Sequence, residues 1–197
     1  FPTPEQKGAQ QEGKEKTHME TGEIVLAGGC FWGMQKYLSL LHGVVRTQAG
    51  YANGNTANPT YEQVCAGSGH AEAVRVVYDK RRITLPFLLS MYFEAIDPTA
   101  VNHQGGDYGI SYRTGIYYLD EDDLPVIEQA MRALAARWRE PIAVEVQPLK
   151  NYTPAEDYHQ QYLDKFSGGY CHINRVQMER AARVRDPGAP DAQPQAQ

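Results

Sequence analysis

The sequence predicts an α+β fold, a two-layer α/β sandwich with a mixed sheet and a cysteine at the start of its first helix. Short apolar runs typical of buried strands alternate with stretches whose apolar residues recur every three or four positions. This alternation is typical of helices packed on a sheet. Two stretches, 50–70 and 97–113, carry neither pattern. We expect them to be long ordered loops, which in compact domains commonly serve function.

The first predicted elements are a strand, a glycine turn and a helix. The run EIVLA at 23–27 indicates a short buried strand, and Gly28 and Gly29 form the turn after it. A helical pattern begins at Phe31 and continues through Met34, Tyr37, Leu38 and Leu41. The next strand is predicted at 71–78, from the run AEAVRVVY.

The second half of the chain continues the alternation. A helix is predicted over 84–96, with Thr84 as its N-cap and a proline in its first turn. Strands are predicted at 114–119 and 142–146, and a last helix at 154–166. Between the two strands, a helical stripe is formed by Leu124, Ile127, Met131, Leu134 and Trp138.

Composition and charge narrow the classes of function. The 197 residues, 42% of them apolar and 22% charged, are typical of one globular domain. A net charge of -5 provides no basic field for nucleic acid, and no segment approaches the roughly 20 apolar residues that span a bilayer. Three widely spaced cysteines do not form a disulfide framework, so thiol chemistry or burial must explain them.

The two ends of the chain differ from its middle. Residues 1–22 are rich in Gln, Lys and Glu, and 181–197 in Pro, Ala and Gln, so we expect a flexible arm and a flexible tail or linker. The folded domain is therefore predicted at 23–180, as a monomer. The sequence leaves the compartment open: we expect the cytoplasm, or export to the periplasm if Phe1 follows a removed signal.

Cys30 is the first candidate for chemistry. At a glycine turn before a helix, it faces unpaired backbone N–H groups and the positive end of the helix dipole, which stabilise a thiolate. A lone cysteine is more commonly a small buried hydrophobe. The glycine pair favours the first interpretation, because it implies that something must approach the backbone closely. Phe31 and Trp32 would form an apolar wall beside the sulfur.

Five stretches resemble, in order, the peptide methionine sulfoxide reductase A family. They are GGCFWG (28–33), GYANG (50–54), PTYEQVCAGSGHAEAVRVVYD (59–79), DPTAVNHQGGDYGISYRTGIYY (97–118) and YHQQYL (158–163), and together they cover nearly the whole folded unit. The chain departs from the family pattern in two places. The loop before Gly69 is one residue shorter, and His103 stands where an arginine is common.

The resemblance implies thiol-dependent reduction of methionine S-sulfoxide, protein-bound or free, in the repair of oxidised proteins. Such a reaction needs a nucleophilic sulfur, an acid for the departing oxygen and an apolar seat for the methyl group. By resemblance, Cys30 is the nucleophile and Glu72 is the acid. Tyr61 and Tyr112 would bind the sulfoxide oxygen, and Phe31 and Trp32 would form the methyl seat. Asp107 would hold the substrate backbone.

The resemblance also implies how the enzyme is recycled. Attack on the sulfoxide leaves Cys30 as a sulfenic acid, which a second thiol converts to a disulfide. Cys171 follows two glycines in FSGGYCHINR and matches the resolving position of the family. Thioredoxin would then reduce the Cys30–Cys171 disulfide. The enzyme itself is expected to need no cofactor besides this external thiol. Cys65 is expected to be buried and inert, and His70 to be structural.

Two other classes stay open on the residues alone. A cysteine hydrolase or amidotransferase would pair Cys30 with a histidine base and would not need Cys171; covalent trapping by an acyl substrate would favour it. A metal-binding module would use Cys30, Cys171 and His172, with or without Cys65. Ligand pairs such as Cys-x-x-Cys are absent from the sequence, so no metal site is expected.

Overall fold

The computed structural model describes residues 20–194, which form a six-stranded sheet, a separate two-stranded hairpin and six α-helices. The strands are β1 (Thr21–Gly28), β2 (Val44–Ala52), β3 (Ala71–Asp79), β4 (His103–Gln104), β5 (Asp107–Tyr108), β6 (Thr114–Tyr118), β7 (Glu145–Pro148) and β8 (Tyr152–Pro154). The helices are α1 (Phe31–Ser39), α2 (Tyr61–Cys65), α3 (Leu85–Glu94), α4 (Leu124–Ala135), α5 (Tyr162–Lys165) and α6 (Arg175–Arg183).

The large sheet is mixed, with the strand order β7-β6-β1-β3-β2-β8. The β6–β7 pair is parallel and the other pairs are antiparallel. β4 and β5 form the hairpin outside it. The predicted α+β fold with a mixed sheet is therefore confirmed.

The two faces of β1 contribute to two hydrophobic clusters. Ile24 and Leu26 belong to the main core together with the helices, whereas Val25 and Ala27 belong to a smaller cluster. This division follows from the alternation of side chains along a strand. All four are fully buried, so β1 is an internal strand and can fix the turn that follows it.

Several elements lie where the sequence predicted them. α1 begins at Phe31, and Gly29 makes the preceding turn with φ of +81°, a conformation that glycine adopts without strain. The Thr84 side chain caps α3 by accepting the backbone N–H of Phe87 at 3.4 Å, as predicted.

The predicted helix at 154–166 is wrong. This stretch contains the end of β8, a 3₁₀ turn and the four-residue α5. The Gln160 side chain accepts the backbone N–H of Ala49 and donates to its carbonyl, both at 2.9 Å, so it pairs with β2 much as a strand would. These bonds hold the segment against the sheet. The stretch at 50–70 is likewise less irregular than expected, because it contains the end of β2 and all of α2.

The expected domain ends differ from the observed elements. β1 begins at Thr21, and the rest of the predicted arm, residues 1–19, lies outside the described residues, as do 195–197. At the other end, α6 continues through Arg183, and the buried Asp186 accepts both the backbone N–H and the hydroxyl of Thr84 at 2.7 Å. The described part of the predicted tail therefore packs on the domain. Within 20–194, no helix is long and apolar enough to cross a membrane.

Candidate active site

Cys30 lies at the N-cap position of α1, directly after the Gly29 turn, and only 9% of it is exposed. Burial raises the pKa of its thiol well above the usual range, and the nearby Glu72 carboxyl raises it further. The backbone N–H of Trp32 acts in the opposite direction. Of the opposing effects at this helix start, burial is the stronger, so the resting thiol is protonated.

Strand register brings Glu72 to the same end of the sheet as Cys30. β3 runs antiparallel to β1 with Ala27 opposite Ala73, so Glu72 lies beside the strand end that leads into the glycine turn. Its Oε1 accepts the backbone N–H of Phe31 at 3.3 Å, and its side chain is almost completely buried. Burial raises the pKa of Glu72 to about 8, against the lowering effect of that N–H. The carboxyl therefore keeps its proton at neutral pH.

Two tyrosines lie near this carboxyl on separate loop segments. Tyr61 begins α2, and Tyr112 ends the 3₁₀ turn at Ile110–Tyr112. Burial raises the pKa of both well above the usual range. The next cause of the raised pKa is the charge of Glu72 for Tyr112 and the nearby Cys65 side chain for Tyr61. Both hydroxyls therefore remain hydrogen-bond donors at neutral pH.

Phe31 and Trp32 occupy different environments in the first turn of α1. Phe31 is enclosed in the core, 5.7 Å from the Tyr51 ring between centroids. Trp32 is half-buried, stacks on Tyr162 at 3.8 Å and donates its indole N–H to Nδ1 of His159 at 3.0 Å. Of the two rings predicted to form the apolar wall, Phe31 is enclosed in the core, and Trp32 is held by one stacked ring and one hydrogen bond.

Asp107 approaches the site from the β4–β5 hairpin. Its Oδ2 is enclosed without a hydrogen-bond partner among the described residues, and burial raises the pKa of its carboxyl. On the rim of the same hairpin, His103 stacks on the exposed Tyr108 at 4.9 Å between ring centroids. An enclosed acceptor without a partner is suited to a donor that arrives with a ligand.

The Cys171 sulfur lies against α1 at Gly33. A Cβ atom built on Gly33 would be only 2.6 Å from Sγ, so the glycine provides the space that the sulfur occupies. Gly33 is one helical turn after Cys30, and each of the two thiols is free. Cys171 is half-buried and its Sγ donates to the Ile173 carbonyl at 3.2 Å. The structure therefore places Cys30 at the start of α1 and the sulfur of Cys171 against the first turn of the same helix.

Cys65 is exposed, so the prediction that it is buried is wrong. In the five-residue α2, Val64 is the residue that enters the core, and its neighbour consequently points elsewhere. His70 is buried, with Nδ1 2.8 Å from the Ser68 hydroxyl and its ring against Gly54. These contacts fit the structural role expected of His70.

Sequence reasoning assigned no role to Glu156 or His159. Glu156 accepts the backbone N–H of Tyr61 at 3.0 Å and the hydroxyl of Tyr51 at 2.8 Å, so it fixes the start of α2. His159 accepts the Trp32 indole N–H, as described above. Both lie in or beside the YHQQYL stretch, but polar residues in a segment predicted as a helix gave no sign of these partners.

Comparison with known proteins identifies the family. The model of the peptide methionine sulfoxide reductase family matches residues 22–187. MsrA of Lachnoclostridium phytofermentans is 55% identical over 159 residues, which cover 80% of this chain and 96% of the relative. The reduced form of Saccharomyces cerevisiae Mxr1 is 36% identical with a TM-score of 0.73, over 78% of this chain and 91% of Mxr1. A crystal structure of Mxr1 in complex with Trx2 is 27% identical with a TM-score of 0.51, over 72% and 84%.

Among residues 20–194, no group of three or more histidine, cysteine or acidic side chains is placed to hold a metal ion. The same residues hold a buried thiol and a protonated carboxyl beside one helix start, within the range that the family model matches. The chain therefore belongs to the peptide methionine sulfoxide reductase family and is an enzyme that reduces methionine sulfoxide by thiol chemistry.

Proposed function

We propose that Cys30 is the nucleophile and Glu72 the acid in the reduction of methionine S-sulfoxide, free or within oxidised proteins. The observation that carries this proposal is the buried Glu72 carboxyl, bonded to the backbone N–H directly after Cys30 and protonated up to a pH of about 8. A sulfoxide oxygen becomes basic as the sulfur–oxygen bond breaks, and a neutral carboxylic acid can supply its proton.

The substrate is held at three points in this proposal. Tyr61 and Tyr112 donate hydrogen bonds to the sulfoxide oxygen, and the Asp107 carboxyl accepts the backbone N–H of the substrate residue. The methyl group lies against Phe31 and Trp32. Because methyl and oxygen each have a fixed place, the pocket distinguishes the two configurations at sulfur.

The first chemical step transfers oxygen between sulfur atoms. The Cys30 sulfur attacks the sulfoxide, whose oxygen takes the Glu72 proton, and the Cys30 proton passes to the Glu72 carboxylate. The sulfur–oxygen bond of the substrate breaks, methionine leaves reduced by two electrons, and the oxygen stays on Cys30 as a sulfenic acid. Burial keeps the Cys30 thiol protonated in the free enzyme. When a bound sulfoxide takes the Glu72 proton, the carboxylate that remains can accept the Cys30 proton. The sulfur is therefore activated only in the complex.

Cys171 then resolves the sulfenic acid. Its sulfur attacks the Cys30 sulfur, an S–S bond forms and water leaves. The contact of Cys171 Sγ with Gly33, one turn from Cys30, supports this role. Thioredoxin is the proposed reductant of the disulfide, supported by the complex of the related Mxr1 with Trx2. The reaction uses this external thiol and no prosthetic group, and we propose that the enzyme acts as a monomer.

Incubation with the separate S and R epimers of methionine sulfoxide and a dithiol tests the proposed function. We expect methionine from the S epimer, with peptides reduced faster than the free amino acid. Equal rates with both epimers would contradict the proposed pocket. A Cys30→Ser variant serves as the control and should be inactive with either epimer.

The resolving role is tested with Cys171→Ser. This variant should release one methionine per enzyme at nearly the parent rate and accumulate a Cys30 sulfenic acid that dimedone traps. Turnover with thioredoxin should almost stop, because that reductant attacks a disulfide. Mass spectrometry of the oxidised parent should show a Cys30–Cys171 bond. A Cys30–Cys65 bond, or full turnover of the variant, would contradict the assignment.

A further inference from the structure

The segment that carries Cys171 is fastened on both sides of the cysteine. Before it, the Tyr170 hydroxyl accepts the backbone N–H of Gly106 at 3.2 Å. After it, the Ile173 side chain is buried in the main core. Between these two anchors lies His172, which neither the reaction nor the cysteine pair uses. We call residues 170–173 the resolving segment.

His172 is packed on the glycine turn that leads to Cys30. Gly29 has φ of +81°, and a Cβ there would lie 2.6 Å from the Cβ of Gln104 and 3.3 Å from the Cε1 atom of His172. Gly105, at φ +55°, would place a Cβ 3.0 Å from both the Cβ of His172 and the Tyr170 hydroxyl. The His172 side chain therefore lies in a seat between these two positions, which it shares with Gln104 on the Gly29 side and which a side chain at either glycine would narrow.

The imidazole of His172 is held by van der Waals packing and, within residues 20–194, not by hydrogen bonds. Neither ring nitrogen has a hydrogen-bond partner among the described residues, although both are enclosed. Burial lowers the pKa of His172; the Gly28 carbonyl, close to the ring but outside hydrogen-bond geometry, opposes the shift. The ring is therefore neutral at physiological pH, and it contributes packing rather than charge.

We propose that His172 is a positioning residue that holds the resolving segment on the Gly29 turn, so that Cys171 is delivered to oxidised Cys30. The geometry joins the two reacting residues through their neighbours: Gly29 precedes Cys30, His172 follows Cys171, and His172 is packed so close to Gly29 that a Cβ there would lie 3.3 Å from its ring. A fixed approach of this kind raises the effective concentration of one sulfur at the other. This inference rests on the proposed resolving role of Cys171.

The step that depends on His172 is formation of the disulfide, not reduction of the sulfoxide. In His172→Ala the seat is empty and the segment keeps only its two anchors. We expect the release of the first methionine to stay within about twofold of the parent, and formation of the Cys30–Cys171 bond to slow by roughly 10- to 100-fold. His172→Phe retains a ring in the seat and should recover most of the lost rate.

The experiment is a quenched single turnover of the full chain, with methionine, dimedone-labelled Cys30 and the disulfide measured in parallel. The control is His42→Ala, which removes an exposed histidine just beyond the C-terminal end of α1. A loss of both phases together, with a lowered melting temperature, would indicate general destabilisation and overturn the inference. Disulfide formation at the parent rate in His172→Ala would also overturn it, as would a His172→Phe variant as slow as His172→Ala. If the parent itself forms no Cys30–Cys171 bond, the resolving role of Cys171 fails instead.

Discussion

At the scale of single residues, Glu72 shows how the site opposes the stability of the fold. A glutamate ordinarily ionises near pH 4.5, and burial raises the pKa of this one to about 8. Placing a carboxyl where it cannot ionise destabilises the folded protein at neutral pH, yet this placement supplies the proton that the reaction needs. The same burial raises the pKa of Cys30, so the two groups stay neutral together until a substrate arrives.

The role of Glu72 as an acid predicts the effect of Glu72→Gln. The amide retains the hydrogen bond from the Phe31 N–H but has no acidic proton, so the first turnover should slow by about 10²- to 10⁴-fold with little loss of binding. In the parent, the acid form is lost above a pH of about 8, and the component of the rate that depends on it should fall there. Rapid-quench release of methionine from pH 6 to 9.5 measures both. A variant with the parent rate would exclude Glu72 as the acid.

The same substitution should stabilise the fold. Between pH 4.5 and 8 the unfolded chain has released the Glu72 proton while the folded chain keeps it, so rising pH favours unfolding until both states are ionised above about 8. Glu72→Gln removes this effect and should raise the free energy of unfolding by about 2–4 kcal/mol at pH 8.5. At pH 4 the gain should disappear. Urea unfolding at the two pH values measures it, and an equal gain at both would contradict the raised pKa.

At the scale of elements, the first turn of α1 collects most of the site. Its N-terminal end holds Cys30, its first backbone N–H binds Glu72, and its glycine at 33 receives the sulfur of Cys171. A glycine inside a helix costs about 1 kcal/mol relative to alanine. The close approach of Cys171 gives a physical reason for keeping it there.

Gly33→Ala should therefore separate stability from turnover. Alanine favours the helix by about 1 kcal/mol, but its Cβ would lie 2.6 Å from Cys171 Sγ and must displace that sulfur. We expect disulfide formation to slow by about 10- to 100-fold, while the first methionine is released at nearly the parent rate. Gly168→Ala is the matched control, because a Cβ there meets nothing within 4 Å. Equal disulfide rates in the two variants would contradict the role of Gly33.

Whether the sequence could predict an element depended on how far apart along the chain its determining contacts lie. α1, β3 and the Thr84 cap follow from apolar spacing and local hydrogen bonds, which a sequence displays directly. The stretch at 154–166 has a helical pattern, but the pairing of Gln160 with Ala49, 111 residues away, determines its structure. The seat of His172 also depends on distant backbone, at Gly29 and Gly105, so spacing along the chain could not reveal it.

At the scale of the whole molecule, the described part of the C-terminal segment packs against the domain instead of extending away from it. After α6, the buried Asp186 reaches back 102 residues to the start of α3, and Ala189 is buried further on. Composition predicted a flexible tail here, because Pro, Ala and Gln carry little apolar surface. The segment is nevertheless held on the domain by the Asp186 carboxylate, which accepts two short hydrogen bonds at the N-terminus of α3.

Asp186→Ala tests whether this closure supports the fold. The substitution leaves the Thr84 N–H and hydroxyl without their acceptor, and an unsatisfied buried group costs about 1–3 kcal/mol. We expect the free energy of unfolding in urea to fall by that amount, with the first-turnover rate unchanged because Asp186 contacts no proposed site residue. Asp191→Ala is the matched control: it removes an exposed ion pair with Arg81 from the same segment and should cost less than about 1 kcal/mol. If the two variants were equally stable, the tail would contribute no more than its surface charge, and the domain would in effect end near α6.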